Sequence, residues 1–138
     1  MLRVIGFAIV MACAIGPAVA DEVADFYAGK SIELVIGYPP AGSNDIYGRI
    51  VAQHLGQYIP GAPRIIVRNM PGAGSLTAAN HIYTRAPKDG TVLGVVSAGI
   101  PLQAKLGLPQ ARFEPSRFNW LGRIQSSSSV TMVWRTSK

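Results

Sequence analysis

Two copies of one short pattern organise this chain: a β-rich apolar run, a loop of proline and glycine, then a segment with helical spacing. In the first copy Ser31–Tyr38 (SIELVIGY) leads into Pro39-Pro40-Ala41-Gly42-Ser43-Asn44. Asp45–Tyr58 follows, with Ile46, Ile50 and Leu55 near one face and Tyr47, Val51 and Tyr58 on its flank. In the second copy Arg64–Asn69 (RIIVRN) leads into Pro71-Gly72-Ala73-Gly74. Ser75–Arg85 follows, with Leu76, Ala79, Ile82 and Tyr83 toward a core. Thr91–Ser97 predicts a third strand and Ile100–Leu106 a short helix. Leu108–Asn119 reads as irregular, and Trp120–Ile124 and Val130–Trp134 read as two further short strands around the serine run Ser126–Ser129.

Strands alternating with helices are the pattern of an α/β layer with a mostly parallel sheet and flanking helices. Right-handed crossovers bring every strand-to-helix loop to one edge of such a sheet, and ligands of open α/β sheets bind beyond that edge. Each of the two loops has a proline to fix the chain, glycines that let backbone approach a ligand, and a polar residue at the helix start. Ser43, Asn44 or Asp45 can cap the first helix. The first N–H groups of a helix have no partner within it, and the helix dipole adds partial positive charge there. Two such turns at one edge suit an anion such as a carboxylate, without any Lys or Arg. The plainer reading of each is an ordinary tight turn.

The first twenty residues stand apart. Arg3 precedes the apolar run Val4–Ile15, Gly16-Pro17 breaks it, and Ala18-Val19-Ala20 gives a small-x-small pattern before Asp21. This is the form of a secretory signal peptide, with cleavage expected after Ala20 and a periplasmic destination. The alternative, a membrane anchor, has an uncharged stretch at the short end of what spans a bilayer. Cys13, the single cysteine, lies inside that run, so the mature chain 21–138 would carry no thiol and no disulfide.

Other chemistries find little support. Hydrophobic residues make up 49% and charged residues 14% of the chain, which argues for a packed core over disorder. Lys and Arg outnumber Asp and Glu by 13 to 7, but the basic residues are scattered and form no nucleic-acid patch. A third glycine of a dinucleotide loop would fall at position 77, which is Thr77, and no GK[ST] follows either loop. His54 and His81 have no partner at metal-ligand spacing and read as helix-face residues. Asp45 reads more readily as a cap than as a general base, the serine run shows no nucleophile elbow, and Trp120 and Trp134 read as core anchors. No catalytic residue, metal or cofactor is expected.

At the two loops the sequence resembles the extracytoplasmic receptors of tripartite tricarboxylate transporters, the Bug family. The stretches that carry the resemblance are YAGKSIELVIGYPPAGSNDIYGRIVAQHL, IIVRNMPGAGSLTAANHIYTRAPKDGTVLGVVS and FNWLGRIQSSSSVTMVW, spanning nearly all of Phe26–Trp134. The resemblance implies a periplasmic-binding-protein type II-like fold, of which residues 21–138 would form an incomplete first lobe. It implies binding of a small organic acid, typically a di- or tricarboxylate, by backbone and small polar groups, and delivery to membrane permease subunits. Carried over by position, Gly42, Ser43, Asn44 and Asp45 would form the first ligand loop and Gly72, Ala73, Gly74 and Ser75 the second. Ser97 would be the polar residue ending the third strand. Members often carry paired glycines where Ala41-Gly42 stands here, and threonine is common where Asn44 stands. Family chains are much longer, and Lys138 falls about where such a chain would cross to its second lobe. The rival readings are a truncated remnant without function and an enzyme acting on a phosphorylated substrate at the same loops.

Overall fold

A computed structural model of the chain describes residues 21–126 and 132–133. The expected signal peptide over residues 1–20 lies outside the described residues, as do Trp134 and most of the last expected strand. Helix α1 (Glu22–Tyr27) opens the described chain. Asp21, the residue after the expected cleavage point, caps it by accepting from the N–H groups of Val23 and Ala24 at 3.0 and 3.3 Å. The remaining elements are β1 (Ser31–Ile36), α2 (Ser43–Leu55), β2 (Arg64–Asn69), α3 (Leu76–Thr84), β3 (Val92–Val95) and α4 (Ile100–Lys105). Short 3-10 turns at Gly56–Tyr58, Ala73–Ser75 and Pro115–Arg117 complete the pattern.

The three strands form one parallel sheet in the order β2-β1-β3. Ser31 to Ile36 pair in register with Arg64 to Asn69, and Glu33 to Ile36 with Val92 to Val95. With a neighbour on both sides, β1 is the central strand, and Ile32, Leu34, Val35 and Ile36 are all buried. That is why its sequence reads as a continuous apolar run instead of an alternation. The α/β class and the parallel sheet expected from the sequence are both present.

Adjacent residues of β1 show where the helices lie, because successive side chains point to opposite faces of a sheet. Ile36 packs under α2: a Cβ added at Gly48 would lie 2.6 Å from Ile36 Cδ1. Gly37 packs under the start of α3: its added Cβ would lie 2.7 Å from Ser75 Cβ and 3.2 Å from Ala78 Cβ. So α2 and α3 cover opposite faces, as right-handed crossovers in opposite directions along the sheet require. On the α3 side Leu76, Ala79, Ile100 and Phe113 form a buried cluster, flanked by Tyr83, Val96, Ala104, Ala111 and Phe118.

Several sequence expectations are corrected here. The apolar face read from Ile46 and Ile50 is not the buried one: they are 52% and 48% exposed, whereas Asp45 and Gly48 turn inward. The reason is contact distance: Gly48 lets the α2 backbone sit directly on Ile36, and Asp45 is drawn toward polar partners at the end of β2. Trp120–Ile124 forms no strand, and Trp120 is no core anchor. It is 52% exposed, donates its indole N–H to Pro115 O at 2.8 Å, and meets the Phe118 ring edge-on. Short runs of this kind become strands only where a sheet edge receives them.

These burial differences yield a test. Ile100→Ala removes a fully buried side chain and is expected to cost about 2–5 kcal/mol of stability. Ile46→Ala, at a half-exposed position, is expected to cost less than about 1 kcal/mol. Urea unfolding of the two variants beside the parent chain measures both.

Candidate functional site

The loops after β1, β2 and β3 all leave the same edge of the sheet, since the strands are parallel. Their bases are joined by specific hydrogen bonds. Ser75 Oγ donates to Gly37 O at 3.0 Å, fastening the second loop to the end of β1. Asn69, the last residue of β2, donates from Nδ2 to Tyr38 O at 3.0 Å and to Asp45 Oδ1 at 2.7 Å. Asp45 Oδ2 accepts from the Ala41 N–H and from Arg49 Nε, both at 2.9 Å, and Arg49 donates to Asn69 Oδ1 at 2.8 Å. A carboxylate, a carboxamide and a guanidinium therefore close a ring of hydrogen bonds beneath the first loop.

Asp45 itself is only 2% exposed. Hydrogen bonds from Arg49 and then Asn69 do most to hold its pKa at about 2, below the ordinary 3.8; the Ala41 N–H and the Arg49 charge act the same way, and burial opposes them. An ionised, fully hydrogen-bonded carboxylate of this kind is an anchor for the loop and a poor proton acceptor. The expected cap residue also changes. Gly42 occupies the N-cap of α2 with no side-chain cap bond, and Asp45, in the first turn, reaches back to Ala41.

The nine residues singled out from sequence divide by what they present. Gly42, Ser43, Gly72, Ala73 and Gly74 are exposed, and Asn44 and Ser97 are half-buried. The side chains of Asp45 and Ser75 are taken up by internal hydrogen bonds. Among the described residues, the N–H groups of Ser43, Asn44 and Asp45 have no backbone acceptor, the first bond of the α2 ladder being Ile46 N–H to Gly42 O at 2.9 Å. Ser97 Oγ accepts from Gly99 N–H at 3.2 Å and shapes the third loop.

Backbone strain concentrates in the same loops. Ala41, Ala73 and Ser75 have φ values of 65°, 46° and 76°, a region that residues with a Cβ seldom occupy. Each such residue costs on the order of 1–3 kcal/mol and persists only where its surroundings hold it. Here the holding contacts are the Ala41 N–H to Asp45 bond and the Ser75 hydroxyl to Gly37 bond. Sequence reasoning missed Gly37, Asn69 and Arg49. Asn69 and Arg49 lie in elements that read as plain strand and plain helix. Gly37 has no side chain whose chemistry could signal a role.

No three His, Cys, Asp or Glu side chains cluster to hold a metal among the described residues. An open depression of about 580 Å³, lined in part by Glu33, Ile66, Arg68 and Thr91, lies toward the other ends of the strands, away from the loops.

The depressed pKa of Asp45 sets a pH dependence. The unfolded carboxyl titrates near 3.8 and the folded one near 2, so the stabilisation is complete above the first value and is lost as pH falls through the second. Asp45→Asn is expected to destabilise the chain at about pH 6, with the gap to the parent narrowing toward about pH 2. Denaturant unfolding of both proteins across that range measures it.

No protein-family model matches the chain. Three curated relatives align with it. Protein BugT of Bordetella pertussis is 32% identical over 108 residues, covering 78% of this chain and 31% of that protein. A UPF0065 protein in the gbd 5' region of Cupriavidus necator is 40% identical over 78 residues, 56% of this chain and 23% of its own length. A UPF0065 protein in the tcbD-tcbE intergenic region of Pseudomonas sp. strain P51 is 26% identical over 76 residues, 55% and 22% of the two chains. The chain thus spans less than a third of the length of each relative. With the parallel sheet and the two proline-glycine loops in place, the chain is similar over part of its length to proteins of the Bug family.

Proposed function

We propose that this chain carries the ligand-holding sheet edge of an extracytoplasmic solute receptor. The ligand is a small organic acid, a di- or tricarboxylate, and the receptor delivers it to the permease subunits of a tripartite tricarboxylate-type transporter. Residues 1–20 serve as a cleavable signal removed after Ala20, and residues 21–138 form part of the first lobe of a two-lobed periplasmic protein. The role is binding and release, with no chemical step.

One observation carries this reading: the free N–H groups of Ser43, Asn44 and Asp45 stand at the start of a 13-residue helix, on the edge where the other loops also emerge. Such a helix start attracts negative charge through the oriented N–H groups and the dipole together. Asp45, the one acid in that turn, would repel an anion if its carboxylate faced outward. It is instead turned inward and paired with Arg49. Gly42 and Ser43 leave the approach open. The exposed Gly72, Ala73 and Gly74 add a second stretch of backbone beside the first, held to the end of β1 through Ser75. The Bug-family relatives support a solute receptor over an enzyme.

Calorimetry on the protein as its gene encodes it, with a panel including citrate, succinate and inorganic phosphate, tests the proposal. Saturable heat with a di- or tricarboxylate is expected; heat from phosphate alone would overturn it. A variant locates the site. Gly42 has φ −77° and ψ 161°, open to any residue, and an added Cβ there meets only Pro39 O at 3.6 Å. Gly42→Val is therefore expected to fold with a loss of about 1 kcal/mol, because valine is a poorer N-cap than glycine. By screening the α2 amides it is expected to weaken carboxylate binding about tenfold or more.

A further inference from the structure

The second loop is tied across the end of β1 through three consecutive carbonyls. Ile36 O accepts from Met70 N–H at 2.8 Å, Gly37 O from Ser75 Oγ at 3.0 Å, and Tyr38 O from Asn69 Nδ2 at 3.0 Å. The Ile36 carbonyl points to β2. That of Gly37 lies on the β3 side, where the Gly37 N–H meets Val95 O at 2.9 Å. The second loop therefore leaves β2 on one side of β1 and is fastened on the other. Tyr38 leads directly into the first loop, so the Asn69 side chain runs from the root of the second loop to the root of the first.

Asn69 departs from the pattern of its strand. Ile65 and Val67, the alternate residues before it on the α2 side of β2, are apolar. The groups around position 69 account for the carboxamide. Tyr38 O and the Asp45 carboxylate only accept, and the Arg49 guanidinium only donates. One carboxamide meets all three: its Nδ2 protons go to Tyr38 O and Asp45 Oδ1, and its Oδ1 receives Arg49. Aspartate could not donate, and leucine could neither donate nor accept. Everything joined in this way borders the loops. The buried cluster around Ile100 and Phe113 lies on the other face of the sheet and gains nothing from it.

We infer that Asn69 is a positioning residue for ligand binding, an inference that rests on the receptor reading above. It sets the exposed backbone of Gly72, Ala73 and Gly74 against the free N–H groups of Ser43, Asn44 and Asp45, so that one organic acid engages both. Asn69 itself touches no ligand, since its polar atoms are engaged within the protein. Backbone donors cannot change rotamer to follow a ligand as a Lys or Arg side chain can, so their spacing has to be built into the fold. Binding groups need supporting contacts that hold them within about 0.5 Å. Ser75 supplies that support at the far end of the second loop and Asn69 at the near end. Of these two, Asn69 also reaches α2, through Asp45 and Arg49.

The test uses the full-length protein, calorimetry with citrate and with succinate, and thermal melts of the parent, Asn69→Asp, the exchanged pair Asp45→Asn with Asn69→Asp, and Ile32→Val. In the exchanged pair a carboxamide at 45 donates to a carboxylate at 69, which still accepts from Arg49; Tyr38 O alone is left without its donor. Asn69→Asp is expected to lower the melting midpoint and to weaken binding about tenfold or more. The exchanged pair is expected to regain most of the midpoint while its affinity stays about tenfold below the parent. Ile32 is buried near the end of β1 away from the loops, so Ile32→Val is expected to lower the midpoint and bind as the parent does. Parent-like affinity in Asn69→Asp, or affinity that returns with the midpoint in the exchanged pair, would overturn the positioning role. So would failure of both Asn69 variants to fold, or an equal loss of affinity in Ile32→Val, since either makes affinity follow stability alone. Absence of heat from the parent with both acids is a separate result: it removes the receptor reading itself, and this role with it.

Discussion

The buried carboxylate of Asp45 is the point at which the first loop, α2 and the end of β2 are held together. It lies at the start of α2, yet it accepts hydrogen bonds from the loop before that helix, from the helix one turn on, and from the end of the neighbouring strand. Three pieces of chain that are distant in sequence share one charged acceptor. An ionised group inside a protein is stable only when such partners surround it. The requirement runs both ways: Asp45 stays ionised because Arg49 and Asn69 are there, and the loop keeps its course because Asp45 is ionised. Ala41, with its unfavourable φ of 65°, is held by the same group.

The inward turn of Asp45 explains the polarity of the edge. Were that carboxylate outward, the free N–H groups of α2 would face an intramolecular anion and the dipole would be neutralised at its source. With Asp45 paired below and Ser75 bonded to Gly37, the first two loops offer mainly backbone N–H groups and small residues outward. The edge is positive in character without an exposed Lys or Arg in either loop.

The described fold is open elsewhere. Ile66 and Arg68 on β2 are exposed on the sheet face that α3 leaves uncovered, and Ile46 and Ile50 are half-exposed on the outer side of α2. Arg68 pairs with Glu33 at 3.1 Å on that uncovered face, an ion pair with solvent beside it and little weight in stability. Stability therefore centres on β1 and on the cluster around Ile100 and Phe113.

Much of this was legible in the sequence. The apolar run of β1 announced a strand, the proline-glycine loops marked where strands end, and alternation of strand and helix implied a mostly parallel sheet; these are local properties, set by side-chain periodicity and backbone preference. The sequence also marked both loops that reach the sheet edge. Only the tertiary structure decided the rest, because it depends on which groups meet across long separations. Ile46 and Ile50 satisfy the helical period, but the rotation of α2 was decided by the contact of Gly48 with Ile36 and the attraction between Asp45 and Asn69, two elements away. Trp120 carried the composition of a core residue and found no core to enter. Asn69 and Arg49 bear no local mark of their roles. A carboxamide or guanidinium acquires one only when folding sets a partner, or withholds one, within hydrogen-bonding distance.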